Sequence, residues 1–301
     1  MTIDPGSIPP HALRRVIDTA LEEDAPWGDV TSEALIPAAA TAAATLGARE
    51  PGVLSGGGVF AAVMHAVDPS IDAVLHVADG TPFAAGDVIA TVTGPARAVL
   101  RAERVALNLV QRMSGIATTT AAHVAATAGT SARIVDTRKT TPGLRALERY
   151  AVRCGGGHNH RTSLSDAVLA KDNHLAVLLA GGIGIGDAVA AARQRLGHTV
   201  HVEVEVDRLD QIEPVVAAGV DTIMLDNFTP SELTAGVGIV AGRALVEASG
   251  GVSLDTVAAI AAAGVDVISV GALTHSARAL DLGLDIDVAA PVEHVTVPAG
   301  D

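Results

Sequence analysis

Beyond residue 133 the chain alternates short, almost continuous apolar runs with stretches whose apolar residues recur at helical spacing. The runs at 134–137, 167–170, 200–206, 221–225, 244–248 and 265–270 predict strands, and the stretches 143–152, 186–196, 209–218, 231–240 and 253–263 predict the helices that link them. Strands that are apolar throughout imply a parallel sheet covered on both faces. With six units visible, an incomplete (β/α) barrel is favoured over an open sheet, because no glycine fingerprint of the dinucleotide-binding type follows the first strand. The first hundred residues have another rhythm. From 42 to 99, short strand candidates are separated by turns such as Ser55-Gly56-Gly57-Gly58 and Asp79-Gly80-Thr81-Pro82, with one helical stretch at 59–67. The stretch 98–128 reads as a helix interrupted at Gly115. The pattern therefore predicts an α/β chain: an N-terminal α+β open sandwich at 1–110, rejoined by a C-terminal return at 276–301, and an α/β barrel carrying the chemistry at 111–275.

Composition narrows the function. Hydrophobic residues make up 49% but aromatics only 2%, so the core must be built from Ala, Val, Leu and Ile, with Trp27 and Tyr150 expected as packing anchors. A net charge of -14 argues against general attraction to nucleic acid or anionic membrane. No segment offers about 18–20 uninterrupted apolar residues, and the N-terminus lacks a signal-peptide pattern. Cys154 is the sole cysteine, which excludes an intramolecular disulfide and suits a reducing cytoplasm.

Against this acidic background the basic residues at strand ends stand out. Lys139 and Lys171 are the only lysines, and each ends an apolar run; the other 18 basic residues are arginines. Barrels carry their chemistry at the C-terminal ends of strands. Those positions hold Arg138 and Lys139, then Lys171, then Glu203 and Glu205, then Asp226 and Asn227, with His158, Asn159, His160 and Arg161 in a glycine-rich loop before the second strand. Arg138, Lys139, Arg161, Lys171 and His160 around one cavity imply a polyanionic ligand, unless Asp136, Asp166 and Asp172 pair with them structurally. Glu203 and Glu205 share a face by period two, and acids on an apolar strand imply a partner cation, a developing positive charge or Mg²⁺ held through a phosphate. The turns Ser249-Gly250-Gly251 and Gly271-Ala272 precede helix candidates and suit a phosphate. Two other classes remain open on residues alone. One is a Schiff-base aldolase using Lys171; the other is a non-catalytic phosphate-binding protein, against which the strand acids count.

Taken together, Gly28-Asp29-Val30-Thr31-Ser32, Glu103-Arg104-Val105, Thr137-Arg138-Lys139-Thr140, Gly157-His158-Asn159-His160-Arg161, Lys171-Asp172-Asn173-His174, Glu203-Val204-Glu205, Leu225-Asp226-Asn227, Ser249-Gly250-Gly251 and Gly271-Ala272 resemble the quinolinate phosphoribosyltransferase family. The family is also called nicotinate-nucleotide pyrophosphorylase (carboxylating), and the resemblance covers nearly the whole chain. It implies transfer of phosphoribosyl from phosphoribosyl pyrophosphate to quinolinate, with loss of CO₂, in NAD biosynthesis in the cytoplasm. It further implies that Arg138, His160, Arg161 and Lys171, with Thr137 beside them, hold the quinolinate carboxylates, helped by Arg104 from the neighbouring chain of a head-to-tail homodimer. Lys139 would meet the pyrophosphate, Glu203 would join the substrate-binding set, and Glu205 and Asp226 would serve the ribose and Mg²⁺. Ser249, Gly250, Gly251 and Gly271 would bind the 5′-phosphate.

Overall fold

A computed structural model describes residues 8–287. Two helices absent from the sequence expectation open the chain, α1 (Pro10–Asp24) and α2 (Val30–Leu35). Their signals lie in the caps. Proline stands at the start of α1, where its missing N–H breaks no helical bond, and Asp29 caps α2 by accepting from Ser32 N–H. Next come β1 (Thr41–Ala48), β2 (Gly52–Val53), α3 (Gly57–Val67), β3 (Asp72–Leu75), β4 (Pro82–Phe83), β5 (Val88–Pro95) and the long helix α4 (Ala96–Ala126). Alternate residues of β1, from Ala42 to Ala48, are buried, as a half-covered strand requires. Ala44, Leu46 and Ala48 join the apolar cluster that holds Phe60, Val63 and Met64 of α3 and Val99, Ala106 and Val110 of α4.

The second half repeats strand and helix: β6 (Arg133–Val135), α5 (Arg145–Cys154), β7 (Val168–Ala170), α6 (Asp172–Ala180), α7 (Ile185–Arg195), β8 (Val202–Val206), α8 (Ile212–Ala217), β9 (Thr222–Asp226), α9 (Pro230–Val240), β10 (Leu245–Ser249), α10 (Val257–Ala262), β11 (Val267–Ser269) and α11 (Ala272–His275). All six predicted strands are present. Their order is β6-β11-β10-β9-β8-β7, all neighbours parallel. Among the described residues β6 and β7 do not pair, so the curled sheet stays open between them. His158 bridges to Val135 there, donating its N–H to Ile134 O and accepting from Asp136 N–H. This carries the Asn159–Arg161 segment to the mouth of the sheet. Along β8, Val202, Val204 and Val206 enter the core that also contains Ile212, Val215 and Leu233, while Glu203 and Glu205 point to the other face. Helix α6, which begins directly after Lys171, was not among the expected helices.

After α11 the chain returns to the first sheet as β12 (Leu282–Asp287), antiparallel to β1, giving the order β12-β1-β5-β3. The last part of the expected return, 288–301, lies outside the described residues. The boundary expected at residue 110 falls inside α4, which contributes buried residues along its length from Ala96 to His123 and serves both halves. No interruption occurs at Gly115. A Cβ there would collide with the backbone carbonyl oxygen of Arg278 and sit 3.0 Å from its carbon, so the glycine marks a close crossing rather than a break. Tyr150 acts as an anchor, donating its hydroxyl proton to Asp79 at 2.7 Å and tying the barrel to the sandwich. Trp27 does not, being 93% exposed. Among the described residues, no single helix is long and apolar enough to cross a membrane.

Candidate active site

Alternation along the barrel strands aims one set of side chains at a cavity of about 400 Å³ at their C-terminal ends. Its wall contains Thr137, Arg138, Lys139, His160, Arg161, Lys171, Glu205, Asp226 and Ser249, so most of the residues singled out by sequence meet in one place. Met224, Glu247 and Ser269 also line it. Arg104, Glu203, Gly250, Gly251 and Gly271 do not.

Each cation is held differently. Lys171, the first residue beyond β7, donates to Glu205 on the adjacent β8. Lys139 belongs to a tight turn in which its N–H donates to Thr137 Oγ1 at 3.0 Å and its carbonyl accepts from Thr274 at 2.9 Å. Its stem runs beside Gly271, where an added Cβ would lie 3.0 Å from Lys139 Cδ. Gly271 therefore makes room for the lysine. Arg161 donates to Ala167 O at 2.9 Å; burial, and after it the neighbouring Arg138, lowers its pKa. The Nε of Arg138 is buried without a protein acceptor. Cations crowded in this way favour an anionic ligand that repels none of them.

His160 sits on two acids. Its Nε2 lies 3.2 Å from Glu203 and 3.3 Å from Glu247. Burial disfavours a charged ring, but the two carboxylates outweigh it and push the pKa up to about 10. Arg161 N–H donates to Nδ1 at 2.8 Å, so a second proton on the ring must displace that bond. Glu203, expected to meet substrate, is instead 3% exposed behind His160, and burial followed by the nearby Glu247 raises its pKa. Glu247 escaped the sequence reading although it carries the same signal as Glu203, an acid inside the apolar run Val246-Glu247-Ala248.

The loop before β7 is pinned from below. Asp136, fully buried, accepts from Arg149 at 3.3 Å, Asn159 at 2.6 Å and His160 N–H at 2.8 Å. Burial raises its pKa despite these donors. Asp136 thus orients the loop whose His160 and Arg161 line the cavity rather than pairing with Arg138, Lys139, Arg161 or Lys171. Glu148, also buried, accepts from Arg112 and, at 3.1 Å, from Thr141 N–H, steadying the other loop.

The late turns use left-handed backbone at Asn227, Gly250 and Gly251, with φ of 61°, 88° and 62°. An added Cβ at Gly250 would lie 2.8 Å from Asn227 N, so glycine lets the ends of β9 and β10 approach. Gly251 has open space around it. Arg104 lies on α4 with its side chain 59% exposed and its nearest carboxylate, Glu103, 4.0 Å away.

Two protein-family models match the chain: Quinolinate phosphoribosyl transferase, N-terminal domain, over residues 29–114, and Quinolinate phosphoribosyl transferase, C-terminal domain, over 116–285. The nicotinate-nucleotide pyrophosphorylase [carboxylating] of Mycobacterium leprae is 45% identical over 282 residues, covering 91% of this chain and 97% of that protein. The probable nicotinate-nucleotide pyrophosphorylase [carboxylating] of Bacillus subtilis is 40% identical over 274 residues, 91% of this chain and 93% of its own. Among solved structures, the nicotinate-nucleotide pyrophosphorylase from Francisella tularensis superposes with a TM-score of 0.88 at 37% identity, covering 95% of this chain and 100% of that one.

Proposed function

The chain belongs to the quinolinate phosphoribosyltransferase family, and we infer that the cavity at its strand ends carries out the family's reaction. The enzyme is a decarboxylating phosphoribosyltransferase of NAD biosynthesis: quinolinate and phosphoribosyl pyrophosphate give nicotinate mononucleotide, pyrophosphate and CO₂. One observation carries the assignment of the site: Arg138, His160, Arg161 and Lys171 line the same cavity as Glu205 and Asp226. The cations suit a ligand with two carboxylates, and the acids suit a positive charge that develops beside it.

We assign quinolinate to Arg138, His160, Arg161 and Lys171, and Lys139 to the pyrophosphate. As the ring nitrogen bonds to ribose C1, the bond from C1 to the pyrophosphate oxygen breaks and its electron pair leaves with the pyrophosphate. The positive charge on the sugar is offset by Glu205 and Asp226, as carboxylates act in glycoside hydrolysis. The ring nitrogen is then cationic, and it stabilises the electron pair left on the neighbouring carbon when CO₂ departs. We assign to Lys171, which donates to Glu205, the supply of the proton that this carbon takes up; the Lys171–Glu205 hydrogen bond supports the reading. Two carboxylates on one cavity wall form a hard-oxygen donor set suited to Mg²⁺, and Glu205 and Asp226 are the residues that would hold it. When bound, the ion offsets charge on the departing pyrophosphate. The Lys171 partner of Glu205 favours metal contact through substrate oxygens.

Arg104, exposed and absent from its own chain's cavity, is assigned to the site of a second copy in a head-to-tail dimer. A cytoplasmic setting agrees with the single free thiol, Cys154, buried in the fold. The test is release of pyrophosphate and CO₂ from quinolinate plus phosphoribosyl pyrophosphate, dependent on Mg²⁺ and lost with a chelator. Equal turnover of nicotinate, with no CO₂ released, would overturn the choice of substrate.

A further inference from the structure

Strands β6 and β11 are neighbours in the barrel sheet, with Val135 opposite Ser269, so the chain leaving one runs beside the chain leaving the other. The first carries Lys139 and the second Gly271, and a circuit of largely buried hydrogen bonds joins them. Thr274, fully buried, donates its hydroxyl proton to Lys139 O at 2.9 Å, with Gly271 O a more distant acceptor at 3.3 Å. The carbonyl of Thr274 accepts in turn from Arg112 of α4. The same guanidinium donates at 2.8 Å to Glu148 Oε1 and at 2.8 Å to Ala277 O. Glu148, 1% exposed, closes the circuit by accepting at 3.1 Å from the N–H of Thr141, in the loop that carries Lys139. None of Arg112, Glu148 and Thr274 lines the catalytic cavity. An ion pair and a hydroxyl are costly to desolvate, and packed apolar groups of similar volume often hold a fold as well or better. What this circuit provides, and apolar packing does not, is a fixed register between the Lys139 backbone and the Gly271 turn.

We propose that Thr274, held by Arg112 and Glu148, is a positioning residue for the phosphoribosyl donor and acts through Lys139. The inference rests on the assignment of Lys139 to the pyrophosphate. A lysine ammonium ends a flexible four-carbon stem, so its place is defined only if the backbone beneath it is fixed. Both main-chain polar groups of Lys139 are held, the N–H by Thr137 Oγ1 and the carbonyl by Thr274 Oγ1. The stem then runs along Gly271, where an added Cβ would lie 3.0 Å from Lys139 Cδ. Thr274 therefore sets both the root of the lysine and its distance from the surface it lies against. A misplacement of about 1 Å at a reacting group can cost on the order of a hundredfold in rate, which gives this distant hydroxyl its leverage.

The test is steady-state kinetics of the full-length enzyme with Mg²⁺, each substrate varied at saturation of the other. Thr274→Val keeps the shape and removes the hydroxyl. It should raise KM for phosphoribosyl pyrophosphate about tenfold and change KM for quinolinate less than about twofold. Thr274→Ser, which keeps the donor, should recover most of the loss. Arg112→Lys keeps the charge but cannot serve Thr274 O, Ala277 O and Glu148 together, and it should give the same split in milder form. In a Lys139→Ala background, Thr274→Val should raise KM for phosphoribosyl pyrophosphate no further, because the group it positions is gone. Full additivity in that background overturns the inference. So does an equal rise in both KM values, which would make the circuit a support for the whole loop, or a lower melting temperature with both KM values unchanged. If Thr274→Val does not fold, the Arg112→Lys split and its combination with Lys139→Ala decide in the same way. Should Lys139→Ala itself leave KM for phosphoribosyl pyrophosphate unaltered, the pyrophosphate assignment fails and this inference with it. Where Lys139→Ala raises that KM and Thr274→Val does not, only the positioning role fails.

Discussion

Glu203 and Glu247 converge from β8 and β10 on a single atom, Nε2 of His160, at 3.2 and 3.3 Å. They flank β9, and each leaves its Oε1 buried without a partner, so neither has another acceptor role that explains its burial. Holding the imidazole against the cavity wall is the role that remains. Glu247→Ala should therefore raise KM for quinolinate about tenfold, in line with loss of a hydrogen bond to a polar ring in a buried site, and Glu247→Gln should raise it less. Steady-state kinetics at saturating phosphoribosyl pyrophosphate check this. A lower melting temperature with KM unchanged would reduce Glu247 to a structural residue.

The two lysines separate by their neighbours. Lys171 is bound to Glu205, and Lys139 is fixed by Thr137 and Thr274 beside Gly271. Lys171→Ala should chiefly raise KM for quinolinate and slow CO₂ release, whereas Lys139→Ala should chiefly raise KM for phosphoribosyl pyrophosphate. Effects of roughly ten- to a hundredfold correspond to loss of one charge-assisted hydrogen bond. Lys171→Arg should not restore activity, because a planar guanidinium cannot replace a compact ammonium against Glu205. The opposite pattern of KM changes would exchange the two assignments.

Much of this site is legible along the chain because burying charge is expensive enough to leave a pattern. Glu203 and Glu205 stand out inside a run of valines, and Lys139 and Lys171 stand out where arginine is otherwise the rule. The same reasoning applies to Glu247, but its partner His160 comes from a distant loop, and no spacing rule links the two. Glu203 shows the converse limit. Period two places it on the inner face with Glu205, yet depth along the strand decides that one is sealed behind His160 while the other reaches the cavity. Helices α1 and α2 escape apolar periodicity because α1 buries only Ala12, Val16 and Ile17 and α2 only Ser32. Gly115 looks like a helix breaker because glycine lowers helix propensity; the reason for it, the Arg278 carbonyl, lies far along the chain.

That crossing sets a clear expectation for Gly115→Ala. In an unhindered helix the change would stabilise by about 1 kcal/mol, since alanine has the higher propensity. Here the added methyl meets the Arg278 backbone, which the bonds from Leu280 N–H to Gln111 O and from Gln111 to Leu282 O hold in place. Overpacking of this kind typically costs roughly 1–3 kcal/mol, so the variant should be less stable than wild type in denaturant titration. A rise in stability would mean that the C-terminal return can shift away from α4.

The same return is pinned by Glu50, whose carboxylate accepts from Arg278 through two nitrogens and from Asp281 N–H at 2.7 Å. The Arg278 hydrogen bonds, followed by that of Asp281, lower the Glu50 pKa from 4.5 to about 2. A carboxyl whose pKa is lower in the folded state binds its proton more readily when unfolded. Its contribution to stability is therefore complete above pH 4.5 and is lost as pH falls from 4.5 towards 2. Glu50→Gln should lower the melting temperature by a constant amount between about pH 6 and pH 8, where both charge states are fixed. Below pH 4.5 the gap between variant and wild type should narrow, closing near pH 2, because protonation removes the charge that the substitution has already removed. Taking the difference between the two proteins cancels the other acids that titrate in the same range. A gap that stays constant down to pH 3 would be compatible with the neutral amide's altered hydrogen bonds alone and would show that the ion pair with Arg278 does not secure β12 against β1.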